Sequence, residues 1–229
     1  MKLKILSWNI WIDGDFDGIT SFIKQSKADV IGLQEVKDND PERKIINYLQ
    51  KLGYEYVFAP VLKIWGGKEY KDGPAVFSKY PIKNDKKYIL TENESRAVAQ
   101  ADIQIKYKLL HVFSTHLSHT HQKPSEIQDE QARNLIKLIP EKNSILMGDF
   151  NALPESNTIK IVERYMTNVD EKNQPTWSVY EKGCETCRIK EIIHRLDYIF
   201  ISKNLQAENY NVESSRASDH LPISVTVEL

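Results

Sequence analysis

Apolar and polar residues alternate along this chain with two periods, and the switches between those periods mark out its elements. Lys2–Ile10 has the two-residue period of a strand, with Leu3, Ile5, Ser7 and Asn9 on one face. Asp17–Lys27 predicts a short helix carrying Ile19, Phe22 and Ile23 on one side, and Asp29–Val36 a second strand. A helix is expected over Pro41–Leu52: Asp40 suits the N-cap, Pro41 the first turn and Gly53 the stop. Shorter strands follow at Tyr54–Ala59, Gly73–Ser78, Ala97–Ile105 and Leu109–His116, with Lys63–Asp72 read as an exposed loop. Then come a helix from Ser125 to Ile139, with Gln128 closing a capping box, a strand at Ser144–Phe150 and a helix at Ser156–Met166. Arg195–Ser202 and Leu221–Glu228 are the closing strands. A strand-rich middle of this kind argues for a mixed, layered α/β domain rather than a doubly wound parallel sheet.

Several of these strands end in a polar residue that breaks an apolar row. Leu3 and Ile5 lead to Ser7 and Asn9; Ile31 and Leu33 to Glu35; Leu110 and Val112 to Ser114 and His116; Ile145 and Met147 to Asp149 and Asn151. One Asn or Asp at a strand end is usually a turn-former. A set of carboxylates, amides and imidazoles at the C-terminal ends of several strands is instead how α/β sheets build a site. His111, in mid-strand, is expected to be structural.

Composition narrows the partners. The 229 residues hold 31 Lys and Arg against 32 Asp and Glu, a net charge of −1, which excludes a strongly basic nucleic-acid binder as a whole-chain description. With 28% charged and 41% hydrophobic residues the chain reads as an ordinary globular protein, expected as one domain over residues 1–229. No apolar run reaches the roughly 18–20 residues of a membrane helix, and the N-terminus shows no signal peptide, so a cytoplasmic monomer without a membrane partner is expected. Cys184 and Cys187 form a C-x-x-C pair. A zinc site needs about four ligands and only His194 follows nearby, so a local disulfide or two free thiols is expected. His119 and His121 are read as incidental histidines of a solvated loop that Pro124 keeps from continuing the strand.

Six short strings carry a resemblance: Ser7-Trp8-Asn9-Ile10, Leu33-Gln34-Glu35-Val36, Ser114-Thr115-His116-Leu117, Gly148-Asp149-Phe150-Asn151, His194-Arg195-Leu196-Asp197-Tyr198 and Ser218-Asp219-His220-Leu221-Pro222. In this order the chain resembles the endonuclease/exonuclease/phosphatase superfamily from residue 7 to residue 222. The resemblance implies a DNase I-like α/β fold, a two-sheet β-sandwich flanked by helices in four layers, and hydrolysis of phosphoesters with Mg²⁺ or Mn²⁺. It implies Glu35 as principal metal ligand with Asn9 and Asp219 in support, and Asp149 as the carboxylate that activates water. Asn151 would hold that water or a phosphate oxygen, and His220 would contact the scissile phosphate with Asp197 fixing its tautomer. His116 would assist the leaving group or bind phosphate, and Arg96 would lie near the phosphate; Asn9, too, would belong to the phosphate-binding set. Trp11 stands where the apurinic endonuclease branch carries an Asp, and His116 where that branch carries Tyr. The closing strings, Arg195-Leu196-Asp197-Tyr198 and Ser218-Asp219-His220-Leu221-Pro222, look close to apurinic endonucleases, whereas the first half looks closer to the branch that includes tyrosyl-DNA phosphodiesterases, deadenylases and sphingomyelinases.

The expected substrate is nucleic acid, as single-stranded, damaged or end-modified DNA or RNA. Lys63, Lys68, Lys71 and Arg96 would supply phosphate contacts, and Trp11, Trp65, Tyr70 and Trp177 stacking surfaces for unpaired bases. Two alternatives stand beside it: phosphohydrolysis of a lipid headgroup or small phosphorylated metabolite, and an inactive binding module of the same fold.

Overall fold

In the computed structural model, which describes residues 1–37, 42–65, 68–91, 96–181, 187 and 191–229, the chain opens with strand β1 (Lys2–Asn9), helix α1 (Phe16–Ser26), strand β2 (Val30–Lys37) and helix α2 (Ile45–Lys51). Strands β3 (Glu55–Phe58), β4 (Val61–Trp65), β5 (Lys68–Ser78), β6 (Ile82–Ile89), β7 (Ala97–Ile105) and β8 (Lys108–His116) follow. Helix α3 (Glu126–Ile136), strand β9 (Ser144–Asp149) and helix α4 (Asn157–Glu163) lead to β10 (Thr167–Asn168), β11 (Asp197–Ile201), β12 (Gln206–Val212) and β13 (Ile223–Glu228).

Among the described residues the strands form two sheets. One runs β12-β13-β1-β2-β5-β3 with β4 paired to β5, and the other β10-β11-β9-β8-β7-β6. Each sheet has one parallel pair near its centre, β1 with β2 and β8 with β9; the remaining pairs are antiparallel. Parallel neighbours deliver their C-terminal ends to the same edge. Asn9 and Glu35 therefore finish beside each other, and His116 lies directly across from Asp149.

Three apolar layers hold the sheets and helices together. Leu3, Ile5, Val112, Ile145, Met147, Ile199 and Val225 fill the space between the sheets. Ile31, Leu33 and Phe77 pack the outer face of the first sheet against Ile19, Ile23, Ile45 and Leu49 of α1 and α2. Phe113, Leu146 and Phe200 pack the second sheet against Ala132 and Leu135 of α3 and Ile159 and Val162 of α4. The result is the four-layer α/β sandwich that the family resemblance implied. No helix among the described residues is long and apolar enough to cross a membrane.

Four local readings differ from expectation. The expected loop Lys63–Asp72 is instead the β4–β5 hairpin, with Lys63 across from Tyr70. Helix α2 starts at Ile45, because Lys44 is non-helical (φ −78°, ψ 58°) and Arg43 spends its guanidinium on the carbonyls of Ile10, Trp11 and Ile12; Asp40 and Pro41 lie outside the described residues. Ser125 is the N-cap of α3 but its side chain makes no cap bond. Gln128 does not close a capping box; its buried amide donates to the carbonyls of Ser118 (2.7 Å) and Asn151 (3.0 Å). Finally, β6 and β12 were not foreseen. Both are edge strands with largely exposed, polar sequences, so neither shows the apolar alternation that betrays a half-buried strand.

The two central pairs also demand glycine at one point. Gly148, next to Asp149, has a φ of +152°, and a Cβ there would lie 2.0 Å from the carbonyl oxygen of Thr115 on β8. Replacing Gly148 with Ala is expected to cost about 2–4 kcal/mol in urea-induced unfolding. A loss below about 0.5 kcal/mol would show that the strands separate freely at this point.

Candidate active site

The site forms where the polar ends of the two parallel pairs meet across the sandwich. β1 presents Asn9, which is buried, and its side-chain amide donates to Glu35 Oε1 (3.2 Å) and to Asp149 Oδ2 (3.0 Å) in the opposite sheet. Asn9 Oδ1 in turn accepts from the Trp11 backbone N–H at 3.0 Å.

Simple alternation would send Glu35 to the outer face with Ile31 and Leu33, which belong to the helix-side core. The β2–β5 register shifts between Leu33 and Val36, and Glu35 has a left-handed backbone with φ 59°. This irregularity lets the consecutive side chains Gln34 and Glu35 both reach the inner side, a common use of a β-bulge beside a site. Gln34 bonds Ser114 Oγ across the sheets (3.1 Å), and Glu35 Oε2 accepts from the Ile12 N–H (3.0 Å).

Asp149 ends β9 with only 1% of its side chain exposed. Its Oδ1 accepts from the Asn151 N–H (2.8 Å), holding the turn in which Asn151 takes φ 51°. Its Oδ2 lies 3.4 Å from His116 Nε2 and 3.6 Å from His220 Nε2. Burial pushes the Asp149 carboxyl up to about 7, and Asp197 adds to that while His220 opposes it.

His220 shares its Nδ1 with Asp197 Oδ2 at 2.8 Å. That carboxylate also accepts from Thr176 Oγ1 (2.6 Å), while Asp197 Oδ1 is buried with no hydrogen-bond partner. Burial alone would depress the His220 imidazole, but the charges of Asp197, Asp149 and Asp219 outweigh it and hold the group well above its ordinary value. His116 goes the other way: burial lowers it well below the ordinary range, and the nearby charges of Arg96 and Lys63 add to the fall. Asn151 Nδ2 is 3.1 Å from His116 Nε2, so the neutral imidazole accepts there. Asp219 accepts the indole N–H of Trp177 (3.1 Å), and burial, seconded by the charge of Glu35, pushes it up to about 6.

All eight polar positions read from the sequence thus converge at one edge of the sandwich, and Arg96, half-buried just before β7, lies close enough for its charge to act on His116. The stacking residues fare differently. Trp177 is 2% exposed and can offer no face to a base; its role is to pack beside His220 and to donate to Asp219. Trp11 pairs instead with Tyr180 (centroids 5.9 Å apart), whose ring lies under the Arg216 guanidinium. Lys63 is committed to Asp72 at 2.8 Å, and the Trp65 and Lys68 side chains lie outside the described residues. His111 is structural, with Nδ1 2.7 Å from Asp102 Oδ1. Alternation gave no sign of Thr176, whose hydroxyl ties Asp197 to the backbone N–H of Leu196 (3.1 Å), because it sits outside any patterned element.

The donor set suits a divalent cation. Glu35, Asp149, Asp197 and Asp219 bring four carboxylates to one place, two of them with raised pKa values, and one atom of a third lacks any partner. Ligand atoms of Asp149, Asp197 and His220 lie within 4.8 Å of one another. The 2.8 Å bond between Asp197 and His220 makes those two a carboxylate–imidazole pair, which leaves the oxygens of Glu35, Asn9, Asp149 and Asp219 as the hard donors Mg²⁺ prefers.

The sequence matches the Endonuclease/Exonuclease/phosphatase family over residues 6–220, and the chain belongs to that family. Its members are phosphoester hydrolases. No curated protein matches the chain by sequence. Among solved structures, an endonuclease/exonuclease/phosphatase from Beutenbergia cavernae is similar over 100% of this chain and 72% of its own, with TM-score 0.80 and 19% identity. The human nocturnin catalytic domain with bound sulfate aligns over 99% of this chain and 94% of its own (TM-score 0.71, 19% identity). The mannosyl-6-phosphatase Bt3783 of Bacteroides thetaiotaomicron aligns over 99% and 100% (TM-score 0.72, 18% identity). At these identities the likeness is one of fold.

Trp177→Phe keeps an aromatic, though smaller, ring but strips Asp219 of the indole donor. It is expected to cost about 1–2 kcal/mol of stability by urea titration; a change under about 0.3 kcal/mol would mean that the indole N–H holds nothing in place.

Proposed function

We propose that this chain is a divalent-metal-dependent phosphodiesterase acting on nucleic acid, on unpaired strands or modified ends. The observation that carries the reading is the meeting of Asn9, Glu35, Asp149, Asp219, Asp197 and His220 in one cluster in which burial pushes the Asp149 and Asp219 carboxyls up, so that these two resist ionising without a cation. Glu35, Asn9 and Asp219 would hold Mg²⁺ or Mn²⁺. When bound, the ion supplies positive charge to the phosphoryl oxygens and makes a coordinated water more acidic.

The chain's own groups then divide the work. Asp149, with a pKa near neutrality, takes the proton from an attacking water held by Asn151. His220, kept charged by Asp197, binds a phosphoryl oxygen and offsets the negative charge that grows there as the P–O bond to the leaving group breaks. His116 is neutral, so its part is to accept from Asn151 and fix that amide rather than to donate to the leaving group. Arg96 adds a further phosphate contact. The half-buried Trp11–Tyr180 pair supports the nucleic-acid substrate: Trp11 is anchored through its own N–H to Asn9, so a base stacked on it would stand next to the metal ligands. The sulfate in the nocturnin domain agrees with an anion-binding function for this fold.

Purified protein should hydrolyse a generic diester, bis(4-nitrophenyl) phosphate, with Mg²⁺ or Mn²⁺ and stop with EDTA. Glu35→Ala should lower kcat/KM at least about 100-fold, and His220→Ala about 1,000-fold, with the fold intact by circular dichroism. No turnover with any divalent metal would overturn the reading.

Substrate class is checked with single-stranded DNA and RNA, 5′-tyrosyl DNA, abasic duplex, sugar phosphates and lipid phosphates. The expected preference is for unpaired or end-modified nucleic acid, with Trp11→Ala raising KM about tenfold on it and leaving the small diester rate unchanged. Preference for a sugar phosphate, the substrate type named for the Bacteroides enzyme, would contradict the nucleic-acid assignment while leaving the hydrolase in place.

A further inference from the structure

Beside the carboxylate cluster, and chemically unlike it, His119, His121 and Cys187 bring three soft or borderline donors together. His119 Nε2 is 3.2 Å from His121 Nδ1, His121 Nδ1 is 3.2 Å from Cys187 Sγ, and the third side, Cys187 Sγ to His119 Nε2, is 3.7 Å. Tetrahedral zinc, with Zn–N bonds of about 2.0–2.1 Å and Zn–S of about 2.3 Å, requires edges of roughly 3.3 Å between nitrogens and 3.6 Å between nitrogen and sulfur. All three edges fall within about 0.4 Å of those values. We propose that, with Cys187 as a thiolate, His119 Nε2, His121 Nδ1 and Cys187 Sγ bind a zinc ion.

The tautomer of His119 is already set for this. Its Nδ1 is 2.9 Å from Asn151 Oδ1 and can donate only if that nitrogen carries the proton, which leaves the Nε2 lone pair for a metal. Burial also lowers the His119 imidazole, with the hydrogen bond it donates to Asn151 only partly opposing this. A thiolate and two imidazoles select zinc over Mg²⁺, so the two neighbouring sites sort their ions by ligand chemistry. The sequence places a second thiol, Cys184, at the C-x-x-C spacing frequent in zinc sites. Zinc here would clamp the 119–121 turn to the segment at Cys187. It would also lock the Asn151 amide with Oδ1 toward His119 and Nδ2 toward His116.

Cys187 is disulfide-bonded in this structure, and a disulfide sulfur is no thiolate, so the metal and the disulfide are alternatives at one atom. The test therefore uses the full chain reduced by a phosphine, which converts each disulfide to two thiols and leaves as its oxide. The reduced chain, stripped of metal, is titrated with Zn²⁺ against a chromophoric chelator, and with Co²⁺ as a spectroscopic stand-in. Tight uptake of about one zinc per chain and a thiolate-to-cobalt charge-transfer band are expected, with release of the Cys187 thiol proton. Both Cys187→Ala and His121→Ala should weaken zinc binding by at least about tenfold and diminish that band. Glu35→Gln should leave both unchanged, because it alters only the carboxylate cluster. His121 is exposed, so its variant reports on binding rather than on folding. Absence of the charge-transfer band in the reduced chain would overturn the proposal. So would Cys187→Ala and His121→Ala binding like the unaltered chain, or loss of the signature in Glu35→Gln, which would place the metal among the carboxylates.

Discussion

Asp149 is a carboxylate almost wholly removed from water, and the arrangement around it follows from that constraint. Isolated, such a group would stay protonated, and burial does push its pKa up to about 7. What can share its charge is close by: the Asn9 amide from the other sheet at 3.0 Å, the Asn151 backbone N–H at 2.8 Å and the charged imidazole of His220 at 3.6 Å. The fold exists to bring these together. One parallel strand pair per sheet delivers two polar ends to a common edge, where the Asn9–Asp149 bond, like the Gln34–Ser114 bond beside it, crosses from one sheet to the other. Asp219 and Asp197 are buried as well, and each meets a donor of its own, the Trp177 indole for the first and the pair Thr176 and His220 for the second.

Much of this was legible in the sequence, for a physical reason. A buried strand cannot hide a polar residue without a purpose, so the breaks in the apolar rows at Asn9, His116 and Asp149 marked the site directly. The β7 span, Ala97–Ile105, was read at its true ends because it is buried along almost its whole length. Edge strands lack that signature. β6 and β12 carry charged and amide residues that any loop could carry, and β4 with the start of β5 looked like a glycine-containing loop. Glu35 is the instructive case: the periodicity named it but assigned it to the wrong face, because a one-residue bulge is invisible to a rule with a strict period of two.

Residues far apart in sequence and outside regular elements were the ones that escaped. Thr176 and Trp177 meet Asp197 and Asp219 only through the return of the chain across the sandwich. The same holds for Cys187, which stands next to His119 and His121 although 66 to 68 positions separate them. Counted along the chain, the C-x-x-C pair had one nearby histidine, His194; counted in space, Cys187 has two others. Asn151 lies between the two clusters, bonded to His116 on one side and His119 on the other, so the orientation of a single amide links them.

The central claim is that a divalent cation held by Glu35 relieves the repulsion among these buried carboxylates. The most direct measurement is the thermal unfolding midpoint of the metal-free chain against Mg²⁺ concentration near pH 7.5, beside Glu35→Gln. The midpoint should rise by roughly 5–10 °C at a concentration about a hundredfold above the dissociation constant, and the variant should stay flat. A midpoint indifferent to Mg²⁺, or an equal rise in Glu35→Gln, would contradict it.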